Sequence, residues 1–192
     1  MTVNNTKETL HYRVAVPDDA AQLQAFVKSA YRGESSRQGW TTEADLLSDE
    51  RISIDGMMEK ITTPDSSVLI VTNGDEKTFL ACCEVLKRSD DLAYFGMFAV
   101  DPARQGQGLG RQVLAYAEMY CVKTWGVKKV EMSVIWTREE LISWYVRRGY
   151  KKTGETRPFP YSELVNGVAL RDDLYFDILE KDLAGVGVEV AA

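Results

Sequence analysis

Three glycines at alternate positions, Gly106, Gly108 and Gly110, lie in the stretch FAVDPARQGQGLGRQVLAYAEMYC, Phe98 to Cys121. An apolar run ending in Asp101-Pro102 precedes them and a stretch of helical period follows. A strand that becomes a helix through such a run exposes several backbone N–H groups in one direction. The helix start adds unpaired amides and the positive end of its dipole. The chemistry this suits is anion binding, first of all of a phosphate. Arg104 and Arg111 add charge, and side chains at the glycine positions would obstruct the ligand. GLGRQ lacks the Lys-Ser/Thr of a P-loop, and Arg111 breaks the dinucleotide fingerprint G-x-G-x-x-G. A packing turn with no ligand is the weaker reading, because glycines at a helix start are costly for folding alone.

Other residue types could act beside an anion site. Tyr145 offers a phenol, although periodicity alone favours core packing with Leu141 and Ile142. Glu84 is a carboxylate in the strand-like run ACCEVLKR, and strand alternation allows it either the cleft or solvent. Tyr31, Trp40, Trp136 and Phe159 are candidate walls of an acceptor pocket; ordinary core or loop packing is the commoner role for any one of them. The irregular segments RGESSRQGWT and RPFPY are where specificity commonly resides. His11, the one histidine, falls in the first strand and reads as structural. Cys82, Cys83 and Cys121 have no apparent catalytic partner and read as buried packing. With no CxxC and one histidine, no metal is expected.

The elements that must position these groups are legible along the chain. LHYRVAV (10–16) reads as a strand, and PDDAAQLQAFVKSAY as a helix with Leu23, Phe26, Val27 and Ala30 on one stripe. TEADLLSDERISIDGMMEKI has helical character with a break near Gly56. SVLIVT, TFLACCEVLKR and LAYFGMFAV read as strands, the first two joined by NGDE. The third is nearly continuously apolar, which predicts helices on both faces of the sheet. Gly96 within it suggests a bulge. GLGRQVLAYAEMYCVKTWG is a helix, KKVEMSVIW a strand, and TREELISWYVRRG a helix with a Thr137/Glu140 capping box and Gly149 at its end. YKKTGET and LYFDILEKDL complete a mixed α/β (α+β) domain.

The 192 residues are expected to form one domain, 1–192, with loose tails at 1–8 and 184–192. A net charge of −6 and a pI of about 5.0 argue against a duplex nucleic-acid binder. The opening MTVNNTKETL has no apolar run, no segment approaches membrane-spanning length, and the odd cysteine count suggests reduced thiols. A cytoplasmic protein is expected, with a nuclear one possible on the same grounds.

The motifs together resemble the GCN5-related N-acetyltransferase (GNAT) family. VDPARQGQGLG is similar to its Q/R-x-x-G-x-G/A loop, with Gln105, Gly108 and Gly110 at the named positions. Phe98, Val100 and Pro102 match the pattern that ends the preceding strand, and YVRRGY, Tyr145 to Tyr150, matches the later Tyr-x-x-x-Gly-Phe/Tyr helix. The resemblance spans Leu10 to Leu183. One departure is IWTREE, where many members carry Asn before the tyrosine helix.

The resemblance implies an acyl-CoA N-acyltransferase fold, a mostly antiparallel sheet of six to seven strands flanked by helices. It implies acetyl-CoA as cosubstrate. The loop Gln105, Gly106, Gln107, Gly108, Leu109, Gly110 and Arg111 would bind the diphosphate, and the main chain of Phe98, Ala99 and Val100 would pair with the pantetheine arm. It implies Tyr145 as general acid; Glu84 is the candidate base. An alkyl amine is almost all ammonium at pH 7, so exposing its lone pair costs roughly 4–5 kcal/mol. The expected acceptor is a primary amine of a small molecule: an amino acid, polyamine, toxin or antibiotic. A protein lysine or N-terminal acetyltransferase and a non-catalytic acyl-CoA-binding module are the alternatives. Monomer and homodimer are both compatible.

Overall fold

The computed structural model describes residues 9–74 and 77–186. The expected tail at 1–8, most of that at 184–192 and the centre of the NGDE turn lie outside the described residues. Seven strands form one sheet in the order β1-β2-β3-β4-β5-β7-β6. They are β1 His11–Val14, β2 Ser66–Thr72, β3 Phe79–Lys87, β4 Leu92–Val100, β5 Lys129–Ile135, β6 Lys151–Pro158 and β7 Tyr175–Asp182. All neighbours are antiparallel except β4 and β5. The helices are α1 Ala20–Tyr31, the single turn α2 Gly33–Ser36, α3 Ile54–Thr62, α4 Leu109–Trp125 and α5 Glu139–Val146.

The sheet is covered on both faces, as the apolar β4 predicts. One core joins alternate residues of β2 to β4 (Leu69, Val71, Cys83, Phe95) to Val113, Ala117 and Cys121 of α4 and Ile142 of α5. The other joins the intervening residues (Val68, Ile70, Cys82, Ala99) to Leu23 and Val27 of α1 and Met57 of α3. The period of two along the strands sends neighbours to opposite cores.

Two expectations about helix ends are corrected. Gly56 does not break a helix: its N–H donates to the side chain of Ser53, the N-cap of α3, so it lies in the first turn, and the preceding segment is irregular. The Thr137/Glu140 capping box does not form. Arg138 is the N-cap of α5, and the buried Thr137 hydroxyl has no partner. Arg138 is held instead by tertiary bonds to Glu43 and to the Thr41 carbonyl, which fix the helix start where local capping would not.

Two features of β4 open the sheet. Its parallel pairing with β5 is confined to Leu92, Ala93 and Tyr94 opposite Lys129, Val130 and Glu131, after which the two strands part. Against β3, the register shifts between Cys82/Ala99 and Glu84/Gly96, leaving Met97 and Phe98 opposite Cys83 alone. Met97 has φ +46°. This is the bulge expected near Gly96, one step further on, and it bends the strand. Gly96 has its own reason: a Cβ there would lie 2.5 Å from the Tyr94 ring.

Candidate active site

The turn from β4 into α4 carries the glycines. Asp101 caps a short 3-10 turn by accepting from Ala103 N–H at 3.0 Å. Gly106 and Gly108 then adopt φ +81° and +83°, and a Cβ at either would meet nothing within 4 Å. Few residues other than glycine take this conformation at low cost. Gly108 is the N-cap of α4 and offers no side chain to its first turn. The first helical bond runs from Gln112 N–H to Gly108 C=O, so the amides of Leu109, Gly110 and Arg111 lack helical acceptors. Gly110 differs from the other two. A Cβ there would make ordinary contacts with Trp144 and Phe98, at 3.5 and 3.6 Å. The backbone demand for glycine thus falls on two of the three.

Gln105 holds the loop by its side chain. Its Oε1 accepts from Trp40 N–H at 3.0 Å, and its Nε2 donates to Thr41 Oγ1 at 2.8 Å and to Val100 C=O at 3.2 Å. The amide lies against Gly39, where a Cβ would come within 2.5 Å of it. Its side chain is therefore a tether between two loops, and only its main chain is left to a ligand.

A cleft of about 690 Å³ opens beside this turn, lined by Val100, Gly106, Gly108, Arg111, Trp144 and Arg147 among others. Strand alternation directs the main chain of Phe98 and Val100 into the gap, because Asp101 N–H pairs with Leu80 of β3. Ala99 and Leu109 turn their side chains into the cores. Gln107 is exposed on the turn. The cleft is cationic: Arg111, Arg147 and Arg148 line it, and the Arg148 pKa is lowered by burial and by the charges of Arg147 and Arg111. Arg148 lies 3.5 Å from the Trp144 ring centroid and donates to Trp144 C=O at 2.7 Å. An amide nest, three guanidiniums and an exposed strand edge fit a long phosphorylated ligand such as acetyl-CoA.

A second cavity of about 750 Å³ lies across the splayed strands. The two share Tyr31, Phe98, Arg138, Leu141 and Tyr145. Tyr145 is 4% exposed and packs edge-on against Trp144 and Tyr150. None of the side-chain hydrogen bonds among the described residues uses its hydroxyl. Burial, then the neighbouring Tyr31, push its pKa well above the ordinary phenol value, so it keeps its proton at neutral pH. The second tyrosine of YVRRGY has a different task. Tyr150 donates to Glu118 Oε1 at 2.9 Å, and Glu118 is also bound by Lys181.

Glu84 is 6% exposed and lines the second cavity, next to the bulge. It comes with a partner the sequence did not reveal: Lys60 Nζ donates to both oxygens, at 2.9 and 2.7 Å. Tyr31 lines both cavities, and its hydroxyl donates to Phe98 C=O. Its pKa is pushed up to about 12, by burial and then by Glu43. Phe159 lines the second cavity. The other two expected walls lie outside this cavity. Trp40, 43% exposed, stands in the cofactor-side cleft, drawn there by the Gln105 tether. Trp136 lines neither cavity; it stacks on Tyr175 with centroids 5.5 Å apart and donates to Asp173 C=O.

Sequence reasoning missed a buried ionic cluster. Arg32 donates to Glu43 and Asp49, both at 2.7 Å, and Arg138 to Glu43 at 2.6 Å. Burial would raise the Glu43 pKa, but Arg138, Arg51 and Arg32 outweigh it and hold it low. Isolated charges in a polar stretch read as surface, and only the fold buries them. Sequence reasoning also missed the interlock above the cavity. Ser48 N–H bonds to Val168 C=O, Glu50 to Val165 and Leu170 to Leu46, at 2.8–3.0 Å. Gly167 permits the crossing, since a Cβ there would sit 2.4 Å from Asp49 Cα.

Residues 64–152 match the family model described as an acetyltransferase (GNAT) domain. No curated protein matches it by sequence. Among solved structures, the chain resembles a spermidine N-acetyltransferase from Vibrio cholerae in complex with CoA and spermine. The TM-score is 0.63 and the identity 16%, over 91% of this chain and 96% of that one. It also resembles the spermidine/spermine N-acetyltransferase SpeG from the same organism in complex with manganese ions, at TM-score 0.61 and 15% identity over 91% and 93% of the chains. At this identity the likeness shows the fold. Among the described residues no helix is long and apolar enough to cross a membrane, and no group of three or more His, Cys, Asp or Glu could hold a metal ion.

Proposed function

We propose that this chain is a GNAT acetyltransferase that transfers the acetyl group of acetyl-CoA to a primary amine of a small molecule by direct attack on the thioester. The observation that carries this is the junction of two cavities at the sheet opening, with an unpaired Tyr145 hydroxyl in the wall of both. The amides of Gly106 to Arg111 and the nearby arginines would hold the diphosphate, and the main chain of Phe98 and Val100 the pantetheine arm. Acetyl-CoA, when bound, supplies the activated acyl group. Backbone N–H groups at the Met97–Phe98 bulge are the proposed oxyanion donors, each worth about 3–4 kcal/mol. Tyr145 Oη holds a proton for the departing sulfur. Glu84, on the acceptor side, takes the amine proton on a carboxylate lone pair that Lys60 does not occupy.

The interlocked loops favour a small acceptor over a peptide. They cross above the cavity and share its wall through Leu47, Asp49 and Val165, where a protein substrate would need an open groove. Among the described residues the three thiols are buried and unpaired by disulfides, and burial raises the pKa of Cys82 and of Cys121 to about 12. This supports a reducing compartment, the cytoplasm or nucleus. Sedimentation would decide between monomer and homodimer.

Two measurements test the reading. Acetyl-CoA at 100 times its Kd should stabilise the fold by about 2.7 kcal/mol. Release of the free thiol should then depend on an added amine. A thermal shift without release across a broad amine panel would leave a binding module; release with basic peptides alone would make the protein reading correct.

A further inference from the structure

Arg51 stands in the wall of the larger cavity with a guanidinium that no protein carboxylate binds. Its φ of +69° is a backbone conformation few non-glycine residues adopt. Its Nε is buried without a partner, and the group sits over the Tyr31 ring at 5.4 Å. The carboxylates beside it are already taken. Glu43 accepts from Arg32 on one oxygen and from Arg138 on the other. Asp49 accepts from Arg32 Nε on Oδ1 and, on Oδ2, from the main-chain N–H of Arg51 itself. Three guanidiniums thus meet two carboxylates whose four oxygens are all engaged. The cluster has one positive charge in excess: burial disfavours the Arg51 cation and the nearby Glu43 and Asp49 charges hold it protonated, but neither carboxylate has an oxygen left to bond its guanidinium.

The rest of the cavity does not reverse this sign. Glu84 is matched by Lys60, and Glu131 is shared between Arg88 and Arg157. Glu59 and Glu163 also line the space, but they are exposed, where water and salt screen them.

We infer that the acceptor amine carries a carboxylate and that Arg51 binds it, so that the substrate class is an aminocarboxylate. The guanidinium fork matches a carboxylate with two parallel hydrogen bonds. A polyamine would instead bring further ammonium groups against the excess positive charge. The inference rests on the acetyl-transfer reading above, and it assigns Arg51 to specificity.

Thiol release measured with aminocarboxylates, the matching amino amides and spermidine tests it, using wild type, Arg51→Gln and Arg51→Lys. In the wild type, kcat/KM for the acid should exceed that for its amide by roughly 10- to 100-fold. The ratio should fall towards one in Arg51→Gln, and Arg51→Lys, which keeps the charge, should retain part of it. Spermidine turned over as well as the best acid would overturn the inference. So would an Arg51→Gln variant that loses acid and amide turnover in equal measure, since that marks a structural role. Should no amine be acetylated, the transfer reading falls and binding alone judges the site. With CoA present, N-acetyl-aminocarboxylates should then raise the wild-type melting temperature more than their amides do. Equal shifts, or a difference that survives in both Arg51 variants, would remove the carboxylate site.

Discussion

Replacing Tyr145 by Phe removes one oxygen and leaves the ring. The ring carries the packing: it lies 5.1 Å from Trp144 and 5.6 Å from Tyr150 between centroids, with 4% of the residue exposed. Since none of the side-chain bonds among the described residues uses the hydroxyl, its loss breaks no bond in the fold. Stability should therefore change by less than about 1 kcal/mol. A positioned proton donor is worth roughly 10²- to 10⁴-fold in rate, or about 2.7–5.4 kcal/mol. The cofactor-side cleft keeps its amides and arginines, so the thermal shift with acetyl-CoA should be unaltered. The assay is steady-state thiol release, with kcat and KM measured for both substrates beside the melting curves. The Tyr145→Phe variant should show lower kcat and kcat/KM together, with KM nearly constant. Because burial raises the phenol pKa, the wild-type alkaline limb should not report Tyr145 in the neutral range. A kcat within threefold of wild type would refute the donor role. Equal loss of turnover and acetyl-CoA affinity would refute the separation of the two functions.

Three further outcomes follow from named contacts. Gly108→Ala forces a side chain onto φ +83° and should cost about 1–2 kcal/mol, read as a lower melting temperature, with weaker acetyl-CoA binding; an unchanged melting temperature would mean the loop relaxes without strain. Glu84→Gln should lower kcat/KM about 100-fold while leaving the acetyl-CoA thermal shift unchanged, and activity within threefold of wild type would pass the base role to another group. Glu43 has a folded pKa held below its ordinary 4.5, so its contribution to stability is complete above that pH and fades as the pH falls through the folded value. Glu43→Gln should therefore unfold more readily in denaturant at pH 7, with the gap to wild type closing below pH 4.5; a gap that stays constant in acid would show that the charge is immaterial.

The strand and helix sequence was legible because local signals agreed with the tertiary arrangement. LAYFGMFAV is apolar on both faces, and the structure covers both. The glycine turn was legible for a similar reason: positive φ and bare amides are properties of a few consecutive residues. Periodicity alone would have left Tyr145 in the core, and it is indeed buried; the resemblance of YVRRGY to a known motif singled it out, and the fold placed cavities on two sides of it.

By itself the chain determined what depends on near neighbours: the alternation that assigns β2 to β4 to two cores, and the left-handed turns at Gly106 and Gly108. Tertiary structure decided whatever depends on residues remote in sequence. Gln105 reaches Trp40 and Thr41, Lys60 finds Glu84, Arg138 leaves its own helix cap for Glu43, and Trp136 turns to Tyr175. Charge balance belongs to this second kind. In sequence Arg51 is one polar residue among several; only when folding assigns each nearby carboxylate its partners is its guanidinium left without a carboxylate oxygen to bond.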